Sequence, residues 1–425
     1  MRLLGVHRLH HRKGGAEGVH LDHLALFREN GWDVAEFAMS HPENEHSEWS
    51  DYFPAQFEAE SGGLIDKIKK VPRFFYSSEA GEKFEKLLDD FKPDIIHAHG
   101  IYHHLTNAIL EPALKRKIPI AYTLHDYKLI CPAYHFYTEK RGVCEDCRGG
   151  KQYNCLVGRC THGSLAMDAL YALDGLYQWH SGAIMNAVNA FVGPCHFITE
   201  KFAEHGFDQS KLITVPNFFE STDDEPTTPE MIAEVKAKYG RFVLFFGRLS
   251  PEKGVDHLIR ACRIANLPLV LVGDGPKRAE YEQLAKDVGA TVHFMGYQKG
   301  AKLWSFVEGC TAMALPSVWY EIAPKSILEA QARGKPVVTT RIGGLPEMVE
   351  DNVTGVVVKY NDTQALAEGL SRLFAKSDAE IAAIGEAARV RATSEFTRQN
   401  YYATMSALYQ RLLAGQPAAL PGVPL

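Results

Sequence analysis

The sequence predicts an α/β protein made of two doubly wound domains. Stretches typical of buried strands alternate with stretches typical of amphipathic helices along most of the 425 residues, as in parallel sheets covered by helices on both faces. The alternation stops at a polar segment, residues 219–240, and then starts again. A chain of this length also corresponds to roughly two to three domains of ~150 residues. These observations predict a first domain over residues 1–218, a linker over 219–240 and a second domain over 241–395.

Each half of the chain supplies its own set of strands, recognised as short apolar runs bounded by turn residues. In the first half they span residues 2–6, 33–39, 94–100, 118–126, 190–195 and 211–217. In the second half they span residues 242–247, 267–273, 291–296, 311–317, 335–340 and 354–360. Helical patterns lie between them, including one long helix predicted over residues 165–189. Residues 396–425 predict a last helix followed by a flexible tail rich in Pro and Ala.

Composition and charge exclude several classes of protein. Apolar residues make up 46% of the chain and the net charge is −6, which argues against a disordered chain and against a bulk nucleic-acid binder. A run of ~18 apolar residues is missing, and the first apolar stretch is too short for a secretory signal. The eight cysteines are too few for a disulfide scaffold. We therefore expect a cytoplasmic protein.

Polar residues directly after strands are the first candidates for a binding site, because open parallel sheets bind ligands beyond the carboxyl ends of their strands. Gly14 and Gly15 follow the first strand, where exposed N–H groups and a helix N-terminus favour a phosphate; a plain tight turn is the alternative. The spacing is not GxGxxG, so a dinucleotide site is not supported. Arg248 and Lys253 follow the first strand of the second half and suit a diphosphate, although either cation alone could be a solvated surface residue.

The strongest pattern is Glu321-Ile-Ala-Pro-Lys-Ser-Ile-Leu-Glu329. Pro324 fits the first turn of a helix, which leaves the N–H groups of Lys325 and Ser326 available to an anion. Glu321 and Glu329 could accept hydrogen bonds from sugar hydroxyls, and a capped helix with surface glutamates is the alternative. His125 ends a strand and could face a ligand, or it could be a structural histidine.

Taken together and in this order, the motifs resemble those of retaining glycosyltransferases of family GT4, which have the GT-B fold. The resemblance covers nearly the whole chain. It is based on GGAE, LHDYKLICP, PNFF, GRLSPEKG, GDGP, E-x7-E, GKPVV and GGLPEMV. The GT-B fold implies two Rossmann-like domains that face each other across a cleft, the first on the acceptor side and the second on the nucleotide-sugar side. It also implies that the last helix crosses back to the first domain.

The resemblance also implies a role for each candidate residue. Arg248 and Lys253 would neutralise the leaving diphosphate, Glu321 would bind hydroxyls of the donor sugar and Glu329 the ribose. Gly14 and Gly15 would lie beside the diphosphate or the reacting sugar, and His125 would contact the sugar near the reacting carbon. Many relatives have EGFG where this chain has Glu321-Ile322-Ala323-Pro324, which affects the expected backbone contacts and donor preference.

The resemblance implies chemistry without a metal cofactor, and the sequence shows no convincing DxD metal site after a strand. The implied donor is a UDP-, GDP- or ADP-sugar, and the implied acceptor is a hydroxyl of a sugar or glycolipid in polysaccharide or glycoconjugate biosynthesis. Two alternatives are another GT-B enzyme, such as an epimerase or phosphorylase, and a non-catalytic sugar-nucleotide binder. The stretch Asp66–Tyr76 mixes basic and aromatic residues, which suits peripheral contact with the inner face of a membrane or simply a solvated helix end.

A cysteine-rich insert, residues 131–163, interrupts the first half. Cys144, Cys147, Cys155 and Cys160 could form a structural zinc site with irregular spacing, and Cys131 and His162 are further candidates. Disulfides and separate reduced thiols are the alternatives. A metal would hold this segment in shape, because it contains few apolar residues.

Overall fold

The structure, a computed structural model, describes residues 1–57, 64–161, 163–219 and 226–418, with only the backbone for residues 64–69. The chain forms two compact units. The first contains Met1–His135, Glu145–Asn217 and Tyr401–Leu425, and the second contains Phe136–Cys144 and Phe218–Asn400. Part of the predicted insert, Phe136–Cys144, therefore groups with the second unit. Residues 220–225 of the predicted linker lie outside the described residues, and the linker's second half is helical.

Each apolar run seen in the sequence contains one strand, whereas two short strands, the fifth and sixth, were not predicted. The strands are β1 (Arg2–His7), β2 (Asp33–Phe37), β3 (Ile95–His99), β4 (Ile120–Thr123), β5 (Tyr137–Thr138), β6 (Gly142–Val143), β7 (Ala190–Gly193), β8 (Leu212–Thr214), β9 (Val243–Phe246), β10 (Leu269–Val272), β11 (Val292–Phe294), β12 (Ala312–Leu315), β13 (Val337–Thr340) and β14 (Gly355–Val358). Each unit contains one six-stranded sheet whose neighbouring strands run parallel, and β5 and β6 form a separate antiparallel pair. The predicted α/β fold with two doubly wound domains is confirmed.

Helices connect the strands of each sheet. They are α1 (Gly15–Glu29), α2 (Leu64–Phe75), α3 (Ser78–Phe91), α4 (Tyr102–Leu105), α5 (Leu110–Lys115), α6 (Asn154–Gly158), α7 (Leu165–Ser181), α8 (Ala183–Ala187), α9 (His196–Glu204), α10 (Pro229–Tyr239), α11 (Val255–Ala265), α12 (Arg278–Val288), α13 (Gly300–Gly309), α14 (Lys325–Ala332), α15 (Leu345–Met348), α16 (Thr363–Phe374), α17 (Asp378–Glu395) and α18 (Arg398–Leu413). The single helix predicted over 165–189 was wrong. It divides into α7 and α8 at Gly182, whose φ of +59° ends α7 in a left-handed cap.

Strand order determines where a ligand can bind in the second unit. Its order is β11-β10-β9-β12-β13-β14, so the chain reverses direction across the sheet between β9 and β12. Loops that follow two such strands diverge to opposite faces and leave a crevice at the carboxyl edge. The strands themselves are buried, with Leu244, Val270 and Met313 fully inaccessible to solvent. This places the loops after β9 and β12 side by side on a rigid base.

The hairpin β5–β6 explains why residues 136–144 belong to the second unit. Phe136 packs its ring 6.1 Å from Tyr320, and Lys277 Nζ lies 3.1 Å from Glu139 Oε2. A polar pocket of about 520 Å³ lies between the hairpin and residues of α11 and α12, among them His257 and Tyr281. The apolar and ionic contacts together attach this part of the insert to the second sheet.

The last helix contributes to the core of the first unit. The Tyr401 hydroxyl is hydrogen-bonded to His23 Nδ1 at 3.0 Å. The Tyr409 hydroxyl is hydrogen-bonded to His23 Nε2 at 3.0 Å and also to His97 Nδ1, while His97 Nε2 lies 2.6 Å from Thr123 Oγ1. Burial lowers the pKa of His23 to about 3 and holds the pKa of His97 well below its ordinary value. These buried histidines are therefore neutral and paired with hydroxyl groups.

None of the helices in the described part of the chain is long and apolar enough to cross a membrane. The basic and aromatic stretch Asp66–Tyr76 falls largely in α2. Its first side chains, up to residue 69, lie outside the described residues. Of the others, Phe74 is buried, whereas Tyr76 is half exposed.

Candidate active site

Two loops of the second unit meet at the point where its strand order reverses. The loop after β9 runs through Arg248 to Gly254, and Val318 N in the loop after β12 donates to Glu252 O at 2.9 Å. Gly254 has φ +65°, and a Cβ there would lie only 2.1 Å from Pro316 O. A glycine is needed at this position because the two backbones approach too closely for a side chain. The contact fixes one loop against the other.

This contact brings Lys253 and Glu321 together. Lys253 Nζ donates to Glu321 Oε1 at 2.6 Å, and Ser317 Oγ donates to the same oxygen at 2.6 Å. The Glu321 side chain is 6% exposed and that of Lys253 is 20% exposed, so the pair is largely shielded from solvent. Lys253 Nζ also lies 5.4 Å from the centre of the Trp319 ring. The carboxylate is thus held in one position by a cation and a hydroxyl.

A third loop, after β13, supports the backbone of Glu321. Gly344 N donates to Glu321 O at 2.7 Å. Gly343 has φ +59°, and a Cβ there would lie 2.3 Å from Glu321 O. The two glycines of GGLPEMV therefore approach the protein's own backbone, which positions Glu321 from behind.

The helix that carries Glu329 begins one residue later than the sequence predicts. α14 starts at Lys325, and Pro324 stands at the cap position with φ −67°. The amides of Lys325 and Ser326 lie in the first turn, where no earlier carbonyl of the same helix can accept from them. Lys325, Ser326 and Glu329 are all partly exposed. The structure therefore provides a helix N-terminus four residues after Glu321.

The GDGP turn after β10 lies behind the loop that carries Arg248. Leu249 N donates to Asp274 O at 2.9 Å, and a Cβ on Gly273 would lie 1.9 Å from Gly247 O. Arg248 itself is exposed. The turn therefore supports the loop.

The remaining candidates lie in the first unit. Gly14 caps α1 with an extended backbone, and Gly15 begins the helix. The buried carboxylate of Glu17 lies in the first turn of α1 and accepts from Arg8 at 3.3 Å. An acidic side chain therefore already lies at the positive end of this helix, a feature that the sequence interpretation missed.

His125 follows β4 and is partly exposed. Its Nε2 lies 2.7 Å from His99 Nδ1, and the two rings stack with centres 5.0 Å apart. Burial and neighbouring histidines hold the pKa of His99 well below its ordinary value. A neutral His99 can therefore fix the ring orientation of His125 by a hydrogen bond.

The sequence interpretation missed Ser317 and Trp319 as partners of the predicted site. Both lie in the loop PSVWY between β12 and Glu321, and nothing in their spacing distinguishes them from ordinary loop residues. Their position at the strand's carboxyl end was the available signal. Lys253, Ser317 and Glu321 together form a polar site that can bind hydroxyl groups and offset the charge of an anion.

One group of side chains in the described part of the chain has ligand atoms close enough together to hold a metal ion. The ligand atoms of His11, His41 and Glu43 lie within 4.8 Å of one another, with His11 Nε2 3.6 Å from Glu43 Oε2. Glu43 is mostly exposed, and such surface groups are common without an ion. The predicted cysteines are not brought together in such a group, and the eight cysteines, all of them described, form no disulfide. Of the predicted set, Cys147, Cys155 and Cys160 lie in the first unit, whereas Cys144 lies in the second.

Comparison with known proteins agrees with this architecture. The model of Glycosyltransferase Family 4 matches residues 13–222, and the model of Glycosyl transferases group 1 matches residues 228–391. An uncharacterized 42.6 kDa protein in the cps region of Klebsiella pneumoniae is 26% identical over 279 residues, which cover 64% of this chain and 64% of that protein. O-antigen chain mannosyltransferase C of Escherichia coli is 29% identical over 209 residues, 48% of this chain and 56% of the relative.

The alignments thus span less than two thirds of the length of these curated relatives. Among solved structures, the Anabaena protein HepE in complex with UDP and glucose is similar with a TM-score of 0.64 at 18% identity. The match covers 96% of this chain and 98% of that one, which shows a common fold. Two adjacent family models that together account for residues 13–222 and 228–391 identify the chain as a member of the GT4 family of glycosyltransferases, with the GT-B fold.

Proposed function

We propose that the protein transfers a sugar from a nucleotide diphosphate sugar to an acceptor hydroxyl, with retention of anomeric configuration and without a metal cofactor. The observation that carries this proposal is the contact of Lys253 and Ser317 with Glu321 Oε1, at 2.6 Å each, where the strand order of the second unit reverses. The arrangement supplies a carboxylate for sugar hydroxyls and a cation beside it.

The main chemical problem is the charge that develops on the leaving diphosphate. Positioned donors and cations stabilise such charge best when they are held in place before the reaction. In our proposal Lys253 and Arg248 neutralise the diphosphate, and the amides of Lys325 and Ser326 at the start of α14 add the partial positive charge of a helix N-terminus. These groups would serve the purpose that a divalent cation serves in metal-dependent enzymes.

The other predicted roles complete the proposal. Glu321 accepts hydrogen bonds from hydroxyls of the donor sugar, and Glu329 does the same for the ribose. Pro324 ends the loop so that α14 starts close to Glu321. Roles for His125, Gly14 and Gly15 on the reacting sugar or the diphosphate stay predictions that the family resemblance implies.

The comparisons suggest which substrates to test first. HepE was crystallised with UDP and glucose, so UDP-sugars are the first donors, followed by GDP- and ADP-sugars. The curated relatives include an O-antigen chain mannosyltransferase and a protein of a cps region, which supports a role in polysaccharide or glycoconjugate biosynthesis. Suitable acceptors are therefore sugars and lipid-linked sugars. Contact with an anionic membrane through Asp66–Tyr76 also stays a prediction, which sedimentation with anionic vesicles would test.

The decisive experiment is a transfer assay whose product is analysed by NMR. Purified protein is incubated with an α-linked donor and acceptor sugars, in the presence and absence of EDTA. We expect an α-linked product in both reactions. A β-linked product would contradict retention, and loss of activity in EDTA that Mg²⁺ or Mn²⁺ restores would contradict metal independence.

The same assay separates the alternative functions from one another. An epimerase would change the sugar of the nucleotide donor without forming a glycosylated acceptor. A phosphorylase would require inorganic phosphate. A binding protein would bind the donor but would neither transfer nor hydrolyse it.

A further inference from the structure

The cysteine-rich insert has an unusual interior. Among residues 145–161 the buried positions are Cys147, Gln152, Cys155 and Cys160, whereas the large apolar side chains Tyr153 and Val157 are 51% and 68% exposed. Regular structure in this stretch is limited to α6, which has five residues. Sulfur atoms and one amide therefore take the place of a hydrophobic core.

Hydrogen bonds bring these cysteines towards one another. Gln152 O accepts from Cys155 N at 3.1 Å and lies 4.0 Å from Cys147 Sγ. Cys160 N donates to Cys155 O at 3.2 Å. The three cysteines of this segment thus share one small region around the Gln152 carbonyl.

Cys131 reaches the same region from outside the segment. It is 8% exposed, so it is as buried as Cys147 and Cys160. The residue after it, Pro132, packs beside Gln152, because a Cβ on Gly175 would lie 2.7 Å from Pro132 Cγ and 3.1 Å from Gln152 Cβ. Cys131 therefore supplies a fourth buried sulfur.

Cys144 has a different environment. It is only partly buried and belongs to the second unit, where its amide donates to Phe136 O at 2.9 Å. Although its spacing from Cys147 is that of a metal-binding Cys-x2-Cys pair, its backbone is attached to the hairpin β5–β6. The sequence spacing and the structure therefore favour different fourth cysteines.

We propose that Cys131, Cys147, Cys155 and Cys160 bind one structural Zn²⁺ ion and that Cys144 is not a ligand. Four sulfur ligands match the tetrahedral preference of zinc, whose Zn–S distances are about 2.3 Å. Binding would release the thiol protons and draw the four sulfurs together, which stabilises a segment that lacks an apolar core. A shell of four protein ligands leaves no position for substrate, so the ion is structural. The proposal does not depend on the proposed catalytic function.

The test compares two matched serine variants. The full-length protein, Cys131→Ser and Cys144→Ser are purified under reducing conditions, incubated with Zn²⁺, desalted and analysed for zinc per protein. We expect about one equivalent in the unchanged protein and in Cys144→Ser, and at least tenfold weaker retention against a chelator in Cys131→Ser. Loss of zinc in Cys144→Ser with retention in Cys131→Ser would overturn the ligand set. Absence of zinc from the unchanged protein would overturn the site.

A second measurement avoids variants in case Cys131→Ser does not fold. The unchanged protein is treated with N-ethylmaleimide before and after removal of zinc by a chelator, and the labelled cysteines are identified by peptide mass spectrometry. We expect zinc to protect the four proposed ligands and to leave the labelling of Cys144 unchanged. Zinc-dependent protection of Cys144, unchanged labelling of Cys131, or a disulfide among the four would contradict the proposal.

Discussion

Lys253 and Glu321 form an ion pair with Nζ and Oε1 2.6 Å apart, although 68 residues separate them in the sequence. The loops after β9 and β12 create this contact because the two strands are neighbours in the sheet. The pair is largely shielded from water, which strengthens each polar interaction relative to the surface. A cation and a carboxylate are thus positioned before any ligand arrives, as electrostatic catalysis requires.

Replacing Glu321 with Gln should reduce turnover by ~10²-fold or more, because the amide cannot replace a carboxylate that accepts from Lys253 and from sugar hydroxyls. Thermal unfolding monitored by circular dichroism should show that the fold is retained. Glu282→Gln, at a partly exposed residue of α12 that pairs with Arg278, serves as the control and should leave turnover unchanged. Wild-type turnover in Glu321→Gln would exclude Glu321 from the site.

Replacing Gly254 with Ala should destabilise the second unit by more than ~2 kcal/mol and lower activity, because the new Cβ would lie 2.1 Å from Pro316 O. Gly289→Ala is a matched control. Its φ is also +65°, but the nearest atom to its Cβ would be Arg263 Nε at 3.8 Å. The free energy of unfolding of the control should fall only by what an alanine in the left-handed backbone conformation costs, about 1 kcal/mol. Equal losses of stability in urea unfolding would show that the close approach of the two loops is unimportant.

Removing one hydroxyl group should weaken the attachment of α18 to the first unit. Tyr409→Phe leaves His97 and His23 without a common partner, and an unsatisfied buried polar group costs about 1–3 kcal/mol. Tyr360→Phe, at a residue that is 41% exposed, is the control and should change the free energy of unfolding by less than ~0.5 kcal/mol. Similar stabilities of the two variants would contradict a structural role for this network.

The first unit should lose stability as the pH falls below neutrality. Burial lowers the pKa of His7 and His23 to about 3 and that of His10 to about 4. Their pKa in the unfolded chain is about 6.5, so the unfolded state takes up protons first as the pH decreases. The contribution of these neutral histidines to stability is therefore fully present above about pH 6.5. As the pH falls from there towards the folded pKa values, each histidine lowers the free energy of unfolding by about 1.4 kcal/mol per pH unit.

Urea unfolding at a series of pH values, monitored by a probe in the first unit such as Trp32, tests this expectation. Burial raises the pKa of Asp126, which acts in the opposite direction. The effect of this one carboxyl group on stability is smaller than the combined effect of the histidines. The midpoint should shift to lower urea between about pH 7 and pH 5. A midpoint that stays constant or rises would show that the histidines are protonated in the folded protein.

The sequence was sufficient to predict the fold because buried parallel strands are nearly continuous apolar runs. FVLFFG, LPLVLVG and TAMALPS each correspond to an observed strand. Local pattern could not predict the break at Gly182, because glycine also occurs within helices. It could not place residues 136–144 either, because the contacts of Phe136 with Tyr320 and of Glu139 with Lys277 connect distant parts of the chain.

The site was predictable to a similar extent. Residues that follow strands could be proposed as neighbours, and Lys253 and Glu321 are in contact. Ser317, whose hydroxyl donates to Glu321, has no sequence signature because its role depends on the exact path of one loop. The cysteines illustrate the same limit. Spacing favours Cys144 as a partner of Cys147, but the three-dimensional structure shows that Cys144 belongs to the second unit and that Pro132, next to Cys131, packs beside Gln152.

The central claim is that the loop carrying Lys253 binds the diphosphate of a nucleotide sugar, and isothermal titration calorimetry tests it most directly. UDP, GDP, ADP and the corresponding nucleosides are titrated into the unchanged protein, into Lys253→Met and into the surface control Lys286→Met. We predict that one diphosphate binds to the unchanged and control proteins. Lys253→Met should bind it at least tenfold more weakly, a loss of about 1.4 kcal/mol, while binding of the nucleoside changes little. Failure of all three diphosphates to bind, or equal affinity in Lys253→Met, would contradict the account.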